Sequence, residues 1–447
     1  MAGGGIWGAG MGFRAYPAYC DSGVEWLGEV PVGWGVKRLK WVASINDEAL
    51  SERADPGMEI AYVDIGSIDH IQGITNKEIL AFGDAPSRAR RVVRDGDVIL
   101  STVRTYLRAI APIRNPEKNL IVSTGFAVIR PLREMLSSYA VFALQAPYFI
   151  ERVVAESVGV GYPAINASDV GCLPIAYPSL AEQREIATYL DRETGKIDEL
   201  IGKKEGVIGL LRERRGALIS QAVTKGLDSG ARMKDSGVEW LGKIPAEWRV
   251  VRNKEIFVEV DDRSETGEET LLAVSEYYGV KPRAEVIAEG EFLSRAESLV
   301  GYKRLRTDDL AMNFMLAWKS GLGFSPCEGI ISPAYAVFRL KSREANPGYL
   351  HYLLRSPHAA AEFKRWSYGI IDSRLRLYPD VFLSLRCLLP PLAEQREIAA
   401  YLDRETGKID ALIGKVEGAI ALLREYRAAL ISAAVTGKID VREREAA

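Results

Sequence analysis

The sequence is short of the features on which most catalysts, secreted proteins and membrane proteins depend. No apolar run in its 447 residues reaches the roughly 18 needed to cross a bilayer, so no transmembrane helix is expected. Four cysteines (Cys20, Cys172, Cys327 and Cys387) lie far apart without a CxxC pairing, which argues against a zinc site or a disulfide framework. They are expected to be buried, reduced thiols of a cytoplasmic protein. The histidines, His70, His351 and His358, form no ligand cluster. There is no GxxxxGKS or GxxxxGKT loop for nucleoside triphosphates, no HExxH and no GxSxG. Gly159-Val160-Gly161 resembles a dinucleotide turn, but Pro163 interrupts the helix that should follow. Acidic pairs such as Asp191 and Glu193 fall on helix surfaces. A chain without catalysis, cofactor or metal of its own is expected. Net charge is nearly absent too, at −2 with a pI of about 6.1, and this total neither demands nor excludes nucleic acid. The glycine-rich start has no cationic stretch of an export signal, and residues 1–20 are expected to form a disordered extension.

What is present is a duplication. Residues 21–40, DSGVEWLGEVPVGWGVKRLK, recur at 235–254 as DSGVEWLGKIPAEWRVVRNK, with 13 of 20 positions identical. Residues 180–228, beginning LAEQREIATYLDRETGKID, recur at 392–440 with 38 of 49 positions identical. A period above two hundred residues is too long for a solenoid. Each half therefore reads as a lead-in segment, a variable domain and a long helix. The variable stretches, about 41–177 and 255–389, share a fainter skeleton. LIVSTGFAVIRP at 120–131 matches GIISPAYAVFRL at 329–340, both of buried-strand type. DVILS at 97–101 and DLAMN at 309–313 supply a preceding strand, and Pro147 and Pro357 each suit the first turn of a following helix. One mixed α/β fold used twice is the economical inference. The expected division is an extension over 1–20, a first recognition domain over 21–177 and a first helical region over 178–227. A linker, lead-in and second domain follow over 228–389, then a second helical region over 390–440 and a tail over 441–447.

The repeated helix carries a heptad seam. Leu190, Ile197, Lys204, Leu211 and Leu218 fall seven apart, with Ile201 and Ile208 between them. The second copy gives Leu402, Ile409, Val416, Leu423 and Leu430, with Ile413 and Ile420. A seam this long predicts a coiled coil, with Thr194 and Thr406 as caps after a shorter helix. The first helix ends where the second lead-in begins, so the expected pairing is antiparallel, with approximate two-fold symmetry. From Ile197 to Val223 the helix would span roughly 40 Å, close to the ~34–36 Å between successive turns of one DNA groove.

Basic residues cluster around the shared strand pair. The first domain offers Arg88, Arg90, Arg91, Arg94, Arg104, Arg108 and Arg114, and the second Lys303, Arg304, Arg306, Lys319, Arg339, Lys341 and Arg343. Such clusters neutralise phosphates and donate to guanine edges, although a charge cluster is more often a solvated face. Immediately after the strands, Arg104, Thr105, Tyr106 and Arg108 stand opposite Trp318, Lys319 and Ser320, with an aromatic at the same offset, and Asn313 closes the second strand as a further candidate. Core packing of Tyr106 and Trp318 competes with base contact. A second pair of loops brings Asn166, able to pair with adenine, and Ser373 with Arg374, suited to guanine or phosphate; turn formation would explain these as well.

Taken together, these segments resemble the specificity subunits of Type I restriction-modification systems. The marks are YPSLAEQREIATYLD and LPPLAEQREIAAYLD closing the variable domains, the repeated DSGVEWLG lead-ins and the LIS.AVT helix ends at Leu218 and Leu430. The resemblance covers nearly the whole chain beyond the first 15 or so residues. It implies two target recognition domains reading a bipartite, asymmetric double-stranded DNA site across a gap. It also implies two methyltransferase subunits carrying S-adenosylmethionine for adenine-N6 methylation, and motor-nuclease subunits using ATP and Mg2+. The competing expectation is a coiled-coil adaptor that binds protein partners at both ends.

Overall fold

The computed structural model describes residues 14–69, 73–159, 161–239, 241–286, 298–371 and 375–442. The chain divides into two compact units. The first holds the described residues up to Glu205 and those from Glu417 onward, and the second holds Gly206–Val416. Each unit is mixed α/β, and each contains part of both long helices.

In the first unit a four-stranded sheet runs in the order Ile110–Pro112, Val98–Ser101, Phe126–Pro131, Ala43–Ile45, with antiparallel neighbours. The VILS strand is buried along its whole length, as an unbroken apolar run should be. A second sheet orders Glu78–Ala81, Glu59–Val63, Leu120–Ser123, Ala89–Val92, where the central pair is parallel. Helices Ser137–Gln145 and Pro147–Ala155 follow, divided at the expected proline.

The second unit repeats this plan. Its sheet runs Leu322–Phe324, Leu310–Met312, Ala336–Leu340, Phe257–Glu259, followed by helices Pro347–Leu354 and Pro357–Arg365. Asn346 and Ser356 cap these two helices, accepting from the amides of Tyr349 and Ala359. The core joins the sheet, both short helices and the ends of the long ones, with Trp248, Tyr349, Phe338 and Phe382 at its centre.

The long helices are Leu180–Lys225 and Leu392–Val435, each unbroken. Thr194 and Thr406 therefore do not cap. Their hydroxyls donate back to the carbonyls of Leu190 and Leu402, at 2.6 and 2.7 Å, which lets a threonine sit inside a continuous helix. The LAEQ motif explains why the helices start earlier. Gln183 is buried, donates to the carbonyls of Glu134 and Pro178 and accepts from the amide of Leu136. Gln395 does the same with Glu344, Pro390 and Asn346. One amide thus ties each helix start to the loop before it.

Within each unit the helices run antiparallel. In the first, Arg427 binds Asp198 and Arg424 binds Glu205, so numbers rise along one helix as they fall along the other. In the second, Arg215 forks onto Asp410, and Gly226 at the end of one helix lies beside Glu394 at the start of the other. Seam residues Ile197, Ile201, Ile208, Ile420 and Leu430 are buried, and Leu211, Leu218, Ile409, Ile413, Val416 and Leu423 half-buried.

Two further expectations change. The extension expected to be disordered to residue 20 is ordered from Arg14. Tyr16 is buried and donates to Glu182, Arg14 bridges Asp440, and Tyr19–Asp21 pairs with Glu29–Pro31. Residues 1–13 lie outside the described residues. The cysteines are free, but Cys20 and Cys172 are exposed and only Cys387 is buried; burial pushes its thiol up to about 12. Cys20 lies on the exposed strand Tyr19–Asp21 of a separate two-stranded hairpin.

Candidate nucleic-acid interface

Two loops in each unit are stitched together beside the shared sheet. In the first unit, residues 102–108 leave the buried strand, and Arg104 donates its amide to the carbonyl of Pro163 while Ile165 donates to Thr102. Arg104 and Arg108 both adopt left-handed backbone (φ 51° and 53°), bracketing the turn Thr105–Leu107. Left-handed arginines are uncommon, and such strain clusters at functional sites. A Cβ at Gly125 would come within 2.8 Å of Ile65, so glycine there lets the loop base close up.

The result is an exposed basic and aromatic surface. The Arg104 guanidinium lies 4.8 Å from the centroid of the Tyr162 ring. Tyr162 is 68% exposed and Tyr106 52%, so Tyr106 is not a core residue. Arg108 is exposed as well. Thr105 is a correction: it is 2% exposed, with its hydroxyl 2.8 Å from that of Ser157, and it ties the two loops together without reaching the surface. Asn166 is exposed and donates to Asp169, the local turn arrangement. Arg88 is exposed beside the loop base and donates to the Tyr62 hydroxyl. Arg90 and Arg91 lie further along the strand Ala89–Val92, half-buried, Arg90 over the Phe82 ring at 4.7 Å.

The second unit builds the same arrangement from other residues. Loop 313–321 follows Leu310–Met312, and Leu377 donates to the carbonyl of Phe314 where Ile165 met Thr102. Trp318 is half-buried and donates to the carbonyl of Met315, with the ammoniums of Lys319 and Lys364 at 5.0 and 4.9 Å from its ring. Asn313 is drawn inward; its side chain accepts from the amide of Met315 and so shapes the turn. Ser320 takes the left-handed position (φ 62°). Lys303 is buried 3.7 Å from Asp261, and Arg304 donates to Glu269, so these two serve the strand. Ser373 and Arg374 lie outside the described residues.

The basic clusters are smaller than the sequence count. Arg130 and Arg339 fork onto the buried carboxylates of Asp97 and Asp309, Arg94 pairs with Glu48, and Arg114 sits 3.6 Å from Asp191. Arg355 escaped the sequence reading altogether. Its guanidinium donates to the carbonyls of Ser275, Glu276, Tyr277, Ser320 and Leu322, tying loop 313–321 to a neighbouring turn. Burial lowers its pKa to about 10. Lys364 and Arg376, the latter 5.9 Å from the centroid of the Phe314 ring, were also missed, because neither cation carries a local signal until the fold sets it beside an aromatic ring. Tyr162 falls in the same candidate loop as Asn166, but nothing in the sequence singled it out from that loop. Among the described residues, no group of histidines, cysteines and acids could hold a metal ion, and no helix is long and apolar enough to cross a membrane.

Residues 31–208 match the family model of the Type I restriction modification DNA specificity domain. Over 439 residues the chain is 25% identical to the Type I restriction enzyme MjaVIII specificity subunit of Methanocaldococcus jannaschii, spanning 92% of this chain and 94% of that protein. It is 21% identical over 326 residues to the Type I restriction enzyme EcoKI specificity subunit of Escherichia coli, spanning 71% of this chain and 68% of that one. It shares its fold with a chain solved in a study of complex assembly and conformational transition of the type I R-M system. There the TM-score is 0.67 and the identity 24%, over 91% of this chain and 98% of that chain.

Proposed function

We propose that the chain is a specificity subunit of a Type I restriction-modification system, a reading supported by the family model and the relatives it matches, in which each unit reads one half of a bipartite, asymmetric DNA site and the long helices set the gap between the halves. The observation that carries this is the reuse of one loop pair with different side chains. Arg104 and Tyr106 stand on the first unit's loop where Trp318 and Lys319 stand on the second's; Tyr162 of the paired loop flanks the former, and Lys364 of the helix Pro357–Arg365 flanks the latter. A shared scaffold with dissimilar cations and ring faces suits two different base sequences: cations hold phosphates and donate to base edges, while the rings pack against them.

The subunit performs no chemistry in this reading. It directs two methyltransferase subunits, which bring S-adenosylmethionine and modify adenine N6, and motor-nuclease subunits that use ATP and Mg2+, all within the cytoplasm. Adenine modification requires the base to leave the duplex, so distortion accompanies binding. Exposed leucines on the long helices, Leu200, Leu210, Leu412 and Leu422, offer apolar positions for those partners.

Methylome sequencing of a host carrying this chain with its neighbouring methyltransferase tests the proposal. The expected outcome is an adenine-containing motif split by a fixed gap. An unsplit motif, or no methylation despite an assembled complex, overturns it.

A further inference from the structure

The second unit contains a recess of about 500 Å3 beside its reading loop. Tyr277, Tyr278, Tyr302 and Tyr335 wall it, and Leu316 and Lys319 of loop 313–321 close one side. The volume falls within the roughly 300–1,000 Å3 of small-ligand sites. Its polar groups are of both signs: Glu276, which accepts from the Tyr277 phenol, keeps further carboxylate lone pairs to accept with, while Arg283 and Lys319 carry donors. Tyr335 and Arg283 both line it; burial raises the Tyr335 phenol, and the Arg283 charge opposes that rise. Lys281 stands 5.5 Å from the Tyr278 ring. The walls are held in place, because Arg355 binds the carbonyls of Ser275, Glu276 and Tyr277 on one side and of Ser320 and Leu322 on the other. Tyrosine faces, a carboxylate acceptor and flanking cations are the groups that hold a nucleobase with its phosphates. In the first unit the equivalent strand, Glu59–Val63, is followed by Asp64-Ile65-Gly66-Ser67, which keeps the acid and lacks the tyrosines.

We propose that this recess receives one nucleobase swung out of the duplex bound by the second unit, an amino-bearing base whose exocyclic amine donates to Glu276. The nucleotide is distinct from the adenines that the methyltransferase subunits modify, and the proposal rests on the DNA-reading function above. Stacking on tyrosine supplies sequence-tolerant attraction, and Glu276 selects an amino-bearing base (cytosine, adenine or guanine) over thymine.

The test uses the complex assembled with its methyltransferase subunit and the duplex recovered by methylome sequencing, with 2-aminopurine scanned across both half-sites. One position in the half-site read by the second unit should brighten on binding, in addition to the methylated adenine. Tyr278→Ala should abolish that signal and weaken binding about 5- to 100-fold, while an abasic site there should bind variant and parent alike. Tyr277, 84% exposed at the rim, provides Tyr277→Ala as a second variant that leaves the core untouched. Glu276→Gln should relax the preference for an amino-bearing base. If the complex binds the split site and no second position brightens, or the signal survives all three variants, the recess proposal fails alone. If the complex binds no duplex, the DNA-reading function fails with it.

Discussion

The phenol of Tyr349 donates to the backbone carbonyl of Val223 across 3.2 Å, seating the end of the first long helix on the second unit's core. Tyr139 does the same for the second long helix, donating to Val435 at 3.2 Å and to Ala176 at 3.0 Å. Both phenols are fully buried. Tyr349→Phe and Tyr139→Phe each strand a buried helix-end carbonyl, so each should cost about 1–2 kcal/mol in urea unfolding. An unchanged midpoint would mean that the carbonyl finds another partner.

Gln395 should matter more. Its side chain satisfies two carbonyls and one amide at 2.7–2.8 Å in a fully buried place. Gln395→Ala is expected to cost about 3 kcal/mol or more and to raise hydrogen exchange in the first turns of the Leu392 helix. Slow exchange there in the variant would assign the helix start to apolar packing alone.

Lengthening both long helices by one heptad should widen the gap between half-sites by about three base pairs, because seven helical residues rise ~10.5 Å and a base pair ~3.4 Å. The half-site sequences should remain unchanged. Selection of bound sites from a random pool measures this, and an unaltered gap would remove the helices from that role.

Arg104→Ala should relax base preference in one half of the site only, at a cost of about 1–3 kcal/mol. Lys319→Ala, if the ammonium meets a phosphate, should instead weaken binding evenly and lower the salt slope by about one. Binding measured against half-site variants over a range of salt separates the two behaviours.

His351 introduces a pH dependence. Burial lowers its pKa from 6.5 to about 4, with the Arg355 and Arg215 charges acting in the same direction. The unfolded chain therefore takes up this proton first as the pH falls. Stability is fully present above 6.5 and declines between 6.5 and about 4, by up to about 3 kcal/mol from this group. His351→Phe should flatten that part of the stability curve, and an identical acid limb in the variant would assign the loss to other groups.

The duplication, the heptad seam and the proline-divided helices were legible in the sequence, because repeats and periodicities are local and survive without knowledge of the fold. So was the antiparallel direction, since the order of parts admits only one sense in which each helix end meets the next lead-in. Tertiary structure decided which polar residues are spent internally. Arg130 and Arg339 have the same composition signal as Arg104, yet buried aspartates consume them. Thr105 and Asn313 occupy the positions expected of readers but hold their own loops together. The surface that remains (Arg104 with Tyr162, Trp318 between two lysines, and the tyrosine recess) joins residues up to about sixty positions apart in the chain. A single side chain's chemistry does not reveal whether its partner is solvent or another part of the fold; only the closed structure makes that choice.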